Sequence, residues 1–312
     1  MAPLRIVFMG TAPFAVPSLA ILAENGYAIS AVVTGPDRPR GRGRQMSPTP
    51  VKEIAVVRGL PVMQPESLRD QAFAGAVRSL APDLVVVVAF RILPPEVFRI
   101  PRLGSINLHA SLLPRYRGAA PVNRAIMNGE VETGVTTFFL EESVDTGSVL
   151  LQARTPILPD DDAGTLHDRL AGVGAEIVLH TVRLIEQGKA VPRLQDPALA
   201  SPAPKIFKED CRINWNTPAE QVRNHIRGLS PSPAAFTMHD GRVLKLFRAR
   251  IAPGSLPPGT VPGVVHVGKD SLLVGTADDP IAIEELQQEG KNRMAAGEFL
   301  RGYRISHGDR FE

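Results

Sequence analysis

Residues 84–90, Leu-Val-Val-Val-Val-Ala-Phe, form an apolar run rich in β-branched side chains, which favours a strand over a helix. A strand without polar alternation is buried on both faces, and helices must then cover both. The preceding chain supplies them in order: strand 4–10, helix 14–24, strand 29–34, helix 51–58, strand 61–64 and helix 67–80. This alternation predicts an α/β fold with a mostly parallel sheet, in which ligands bind beyond the carboxyl ends of the strands. The first such end, Gly10-Thr11-Ala12-Pro13, has neither the glycine spacing of a dinucleotide site nor that of a nucleotide phosphate loop.

The chemistry concentrates in residues 104–147. Ile106, Asn107, Leu108 and His109 have strand character, so the Asn107 amide and the His109 imidazole share one face while Ile106 and Leu108 take the other. Ser111, Leu112, Leu113 and Pro114 lead into Arg115, Tyr116, Arg117 and Gly118, a loop expected to leave the sheet at a strand end. Asp145 follows the β-branched and aromatic run 135–140 and is expected just past a carboxyl end as well. A carboxylate beside an imidazole favours its charged form and fixes the ring, which makes an acid/base pair. Taken alone, each residue has an ordinary explanation: a hydrogen-bonded strand histidine, and an Asp-Thr-Gly turn.

Their combination is more specific. The pattern N-x-H-x-S-L-L-P, with D-T-G beginning 31 residues after Pro114, resembles the signature of the folate-dependent formyltransferases. The loop R-Y-R-G-A-A-P and the strand V-T-T-F-F-L are similar to the branch of that family acting on methionyl-tRNA, and the opening strand followed by G-T-x-x-F-A fits too. The resemblance implies a Rossmann-like formyltransferase domain that takes 10-formyltetrahydrofolate as co-substrate and needs no metal. It implies Asn107, His109 and Asp145 as catalytic residues. Ser111, Leu112, Leu113 and Pro114 would line the folate slot, with Val88, Ala89, Phe90 and Ile92 on the pterin side. Arg91 stands where the family commonly has a glycine.

Four arginines, Arg38, Arg40, Arg42 and Arg44, are spaced two apart among Gly and Pro and cannot build a core. This segment is expected to stay mobile until an anion orders it. The resemblance implies that it enters the acceptor end of initiator tRNA, with the arginines on phosphates and bases.

The length of 312 residues suits two domains. Pro192, Pro197, Pro202 and Pro204 mark an extended connector, giving a catalytic domain 1–189, a linker 190–207 and a second domain 208–312. The second domain reads as strand 211–215, a helix opened by the capping box Thr217-Pro218-Ala219-Glu220 and closed by Gly228, and then short strands separated by turns. That is the pattern of a small OB-like β-barrel. Net charge is only +3, but from Arg212 to Arg250 seven basic side chains stand against two acidic ones. Arg223 and Arg227 lie four apart on one helix face. Residues 223–231 and 286–299 also resemble the family's C-terminal domain, which implies tRNA binding there.

The single cysteine, Cys211, excludes an intramolecular disulfide and is expected to be a small buried apolar residue. No apolar run approaches the roughly 20 residues of a membrane span. Residues 1–5 lead directly into a strand, with no apolar leader behind a charged one. A cytoplasmic, monomeric enzyme is the expectation.

Overall fold

The computed structural model describes residues 4–40, 45–256 and 259–312. Its contacts divide the chain into two compact units. One comprises Met1–Gly118, Gly134–Thr155 and His167–Pro202; the other comprises Ala119–Thr133, Pro156–Leu166 and Ala203–Glu312.

The first nine strands are β1 (Arg5–Gly10), β2 (Ala28–Val33), β3 (Arg38–Arg40), β4 (Gln45–Ser47), β5 (Val62–Met63), β6 (Leu84–Val88), β7 (Ser105–His109), β8 (Glu132–Phe139) and β9 (Val149–Pro156). The first six helices are α1 (Val16–Glu24), α2 (Pro50–Val57), α3 (Gln71–Ser79), α4 (Pro95–Phe98), α5 (Pro121–Met127) and α6 (Ala163–Glu186). Seven strands form one sheet in the order β5-β2-β1-β6-β7-β8-β9. β6 lies at its centre, parallel to β1 on one side and to β7 on the other. Every residue of β6 is buried, as an apolar strand covered on both faces requires. β6 ends at Val88 rather than 90, because Ala89 turns the chain with φ 47°. α3 starts at Gln71 rather than 67, where the Asp70 carboxylate accepts the Ala72 N–H at 2.9 Å.

Within the arginine-rich segment, residues 38–40 and 45–47 are strands. Arg38 pairs with Ser47 and Arg40 with Gln45, so β3 and β4 form an antiparallel hairpin; Arg42 and Arg44 lie outside the described residues. At its root, Asp37 accepts from Lys52 Nζ at 2.6 Å and from Gln64 Nε2 at 2.7 Å. These hydrogen bonds, Lys52's first and then Gln64's, hold the Asp37 carboxyl below its ordinary range.

The second unit contains α7 (Ala219–Leu229), β10 (Ala235–His239), β11 (Arg242–Ile251), β12 (Val265–Val267), β13 (Leu272–Val274), β14 (Ile281–Gln288), β15 (Met294–Ala295) and α8 (Ala296–Gly302). Its strands form an antiparallel sheet in the order β10-β11-β14-β13-β12, with β15 added to β14. Asp240 and Gly241, at φ 48° and 70°, make the two-residue turn between β10 and β11. Trp215, Ile226, Leu244, Leu272, Phe299 and Phe311 belong to the core.

Three local expectations fail here for identifiable reasons. Residues 211–215 are not a strand: Cys211 ends a short 3-10 turn, buried as expected, and only a single bridge joins Arg212 to Phe236. The Thr217 capping box does not form, because the Thr217 hydroxyl donates to the Asn214 carbonyl while the first N–H of α7, Ala219, goes to Asp278 Oδ1 at 2.7 Å. Gly228 does not end α7 but lies within it. A Cβ there would come within 2.6 Å of Met127 Cγ, so glycine is what lets α5 pack against α7. No helix among the described residues is long and apolar enough to cross a membrane.

Candidate active site

The pleat of β7 sorts its side chains as strand alternation requires. Ile106 and Leu108 are buried, and Leu108 lies so close to α6 that a Cβ on Gly174 would come within 2.6 Å of its Cδ2. Asn107 and His109 take the other face. The Asn107 side chain is half-buried and makes no hydrogen bond to the described residues.

His109 is 7% exposed, and its Nε2 lies 2.8 Å from the Tyr116 carbonyl oxygen. A carbonyl can only accept, so that nitrogen carries a proton. The other nitrogen, Nδ1, stands 3.7 Å from Asp145 Oδ2, beyond a direct hydrogen bond but within ion-pair range. Asp145 is 10% exposed, and the same oxygen accepts the Gly118 N–H at 2.8 Å. The imidazole is thus fixed by backbone at one nitrogen and offers the other to a carboxylate, itself fixed by backbone. Tyr116 (φ 60°) and Asp145 (φ 56°) are both non-glycine residues in the left-handed region, which costs about 1 kcal/mol or more apiece. The strain sits at the two residues that aim the pair.

Asp145 arrives by a different route from the one expected. β8 runs antiparallel to β7, with Thr136 opposite His109 and Phe139 opposite Ile106, so the carboxyl end of β8 lies near the beginning of β7. Residues 140–148 must therefore turn back along β7 by about 10 Å to bring Asp145 to His109. Gly147 permits the return: a Cβ there would collide with the Phe139 carbonyl oxygen. Composition marks β8 as a strand, but its direction is set by its partner.

The expected folate-side residues are distributed unevenly. The Ser111 hydroxyl donates to the Arg115 carbonyl at 2.6 Å, and the Ser111 carbonyl accepts from Thr136 Oγ1 at 2.6 Å. Leu113 donates its N–H to Thr136 Oγ1 at 3.1 Å, and its carbonyl accepts from Gln152 Nε2 at 2.8 Å. Ser111 and Leu113 are buried, whereas Leu112 and Pro114 are half-buried. Val88 is fully buried, Ala89 and Phe90 are half-buried, and Ile92 is 75% exposed. Arg91 turns towards the preceding loop, donating to the carbonyls of Pro65 at 2.8 Å and Glu66 at 2.9 Å. Its guanidinium lies 5.4 Å from the Phe90 ring centroid, and burial pulls its pKa below the ordinary arginine value.

A cleft of about 600 Å³, a size suited to small molecules, is lined by Phe98, Arg99, Ser105, Phe139, Leu140 and Glu142, among others. It shares the Asp145 loop with the catalytic candidates but reaches β7 at Ser105, four residues before His109, and none of the eight expected folate residues lines it.

The arginines also divide. Arg38 is exposed on β3. Arg227 is half-buried and engaged locally, donating to Asn224 Oδ1 at 2.7 Å and to the Asp161 carbonyl at 3.1 Å. Burial, then the neighbouring Arg223, lowers its pKa. Arg223 donates to the Pro159 carbonyl and pairs with Glu220.

Sequence reasoning missed the groups that aim the pair: the Tyr116 carbonyl, the Gly118 N–H and the side chain of Gln195, which bonds to the backbone of the Asp145 loop. The first two belong to a loop whose composition already set it apart, but Gln195 carried no signal. So aimed, Asn107 and His109 can donate to an oxygen that gains negative charge, and Asp145 and His109 can exchange a proton with a bound molecule.

The family model described as formyl transferase matches residues 4–182, and that described as formyl transferase, C-terminal domain, matches residues 205–304. The methionyl-tRNA formyltransferase of Geotalea uraniireducens is 49% identical over 309 residues, covering 99% of this chain and 98% of that one. The enzyme of the same name from Geobacter sulfurreducens is 48% identical over 311 residues, covering 99% and 97%. Among solved structures, the N-formyltransferase from Helicobacter canadensis, in complex with folinic acid and dTDP-3-aminofucose, superposes with a TM-score of 0.68 at 18% identity, over 91% of this chain and 99% of that one. The methionyl-tRNA formyltransferase from Clostridium thermocellum superposes with a TM-score of 0.56 at 17% identity, over 81% and 95%. At such identities the superpositions speak for the fold alone.

Proposed function

The chain belongs to the formyl transferase family, and we propose that it transfers the formyl group of 10-formyltetrahydrofolate to the α-amine of methionyl-tRNA, giving N-formylmethionyl-tRNA for translation initiation. The alignments to enzymes named methionyl-tRNA formyltransferase, at 49% and 48% identity, run through both matched regions, which supports the reading for the whole chain. The observation that carries the reading is the His109–Asp145 pair at the end of β7, on the same face as the Asn107 amide, which has no hydrogen-bond partner among the described residues.

The attacking amine must be neutral, and the formyl oxygen gains negative charge as the new bond forms. Asn107 donates its amide to that oxygen. Asp145 accepts the amine proton, directly or through one water, and His109, held at Nε2, gives a proton from Nδ1 to the departing nitrogen of tetrahydrofolate. Ser111, Leu112, Leu113 and Pro114 border the folate, and Val88, Ala89, Phe90 and Ile92 its pterin side. Residues 1–189 carry the chemistry, 190–207 link, and 208–312 hold RNA. Arg38, Arg40, Arg42 and Arg44 grip the acceptor end of initiator tRNA, with Arg223 and Arg227 as further basic contacts. The enzyme works in the cytoplasm as a monomer.

The test supplies 10-formyltetrahydrofolate labelled on the formyl carbon together with charged initiator tRNA, uncharged tRNA, an amino-sugar nucleotide, or buffer. Label is expected on charged tRNA alone; transfer to the sugar, or release as formate in buffer, overturns the reading.

A further inference from the structure

We infer that Gln195, in the proline-rich segment between the two family matches, is a positioning residue of the active site that clamps the Asp145 loop to the loop carrying Tyr116 and Gly118. Residues 191–200 are otherwise exposed, and Gln195 is the one among them that is not. A solvated connector gives no reason to sequester a single amide, and the contacts of this one supply the reason.

Its Nε2 donates to the carbonyls of Asp145 at 2.9 Å and Gly147 at 2.8 Å. Its Oε1 accepts from Arg117 Nε at 3.1 Å and Nη2 at 2.7 Å. Carbonyls cannot donate and a guanidinium cannot accept, so only this orientation of the amide satisfies all four bonds, and it uses the full capacity of the group. Arg117 lies between Tyr116, whose carbonyl holds His109, and Gly118, whose N–H holds Asp145. One side chain therefore ties together the two segments that fix the 3.7 Å spacing of the pair.

The backbone gives this clamp something to resist. Asp145 sits at φ 56°, a conformation that persists only when its surroundings over-determine it. The neighbours of Gln195 are held to the same segments: Arg193 exchanges two backbone hydrogen bonds of 2.8 Å with Val149, and Ser201 accepts the N–H groups of Tyr116 and Arg117 at 2.9 and 2.8 Å. The connector thus forms part of the wall of the active site.

This inference rests on the reaction proposed above. Formyl transfer to methionyl-tRNA is measured for the full chain as wild type, Gln195→Ala and Gln195→Glu, each also in an Asp145→Ala background, with thermal melting in parallel. Both substitutions are expected to lower kcat by about 10- to 100-fold, because a misplacement on the order of 1 Å is that costly. KM for either substrate should stay within about twofold and melting should be near wild type. Gln195→Glu keeps the partner of Arg117 but sets a carboxylate against two carbonyls, and it decides the matter should Gln195→Ala fail to fold. In the Asp145→Ala background either change should cost less than about twofold, since the group being positioned is gone. Unchanged kcat in both variants, a loss confined to KM, or an equal loss with and without Asp145 overturns the inference. A wild-type chain that transfers nothing to methionyl-tRNA overturns the functional reading, and this inference with it.

Discussion

The His109 and Asp145 side chains hydrogen-bond to backbone groups, the Tyr116 carbonyl and the Gly118 N–H, so their removal should fall on rate rather than on folding. His109→Ala and Asp145→Asn are each expected to cut kcat by about 10²- to 10⁴-fold, read by formylation kinetics, with melting temperature nearly unchanged. Rates near wild type in either would remove that residue from the chemistry. Asn107→Ala should lose about 10²- to 10³-fold in kcat, the usual cost of removing one donor to a developing oxyanion, with KM for folate little altered. At this scale the sequence was informative for these three side chains, because strand alternation put Asn107 and His109 on one face and composition put Asp145 in a turn. It was silent on the Tyr116 carbonyl and the Gly118 N–H that aim them, since every residue possesses such groups and only geometry selects which are used.

The elements show a similar division between local pattern and distant partner. α7 was legible from its apolar stripe, Val222, Ile226 and Leu229, all of which are buried. Its cap was not, because Asp278, 59 residues away in sequence, takes the Ala219 N–H in place of Thr217. That hydrogen bond is the main cause holding the Asp278 carboxyl below its ordinary 3.8. A depressed carboxyl contributes stability that is fully present above the unfolded value and is lost as pH falls through the folded one. Asp278→Ala is therefore expected to cost about 0.5–1 kcal/mol near neutral pH. The deficit should shrink once pH drops below 3.8 and continue to shrink through the folded value, as read by denaturant unfolding along a pH series. A constant deficit across that series would deny Asp278 its role as cap. β8 tells the same story in the first unit, where a run of β-branched and aromatic residues marked the strand while its antiparallel direction came from pairing with β7.

For the whole molecule, a net charge of only +3 leaves RNA affinity to local clusters, and the sequence from Arg38 to Arg44 holds four arginines in seven residues. Arg38→Ala with Arg40→Ala should raise KM for methionyl-tRNA several-fold and make its salt dependence shallower, because fewer counterions are released on binding, while KM for folate stays put. An unaltered salt slope would make the hairpin a bystander. The amino-acid sequence by itself determined the parallel sheet around β6, the strand that presents Asn107 and His109, the run of short strands in the second unit, and family membership. These follow from burial and alternation within a few residues, and such patterns are written locally. Tertiary structure alone decided the return of residues 140–148 towards His109, the cap of α7 and the attachment of Gln195 to the Asp145 loop. Those rest on hydrogen bonds between groups 27 to 59 residues apart, and chain closure over such distances leaves no periodic trace in the order of the residues.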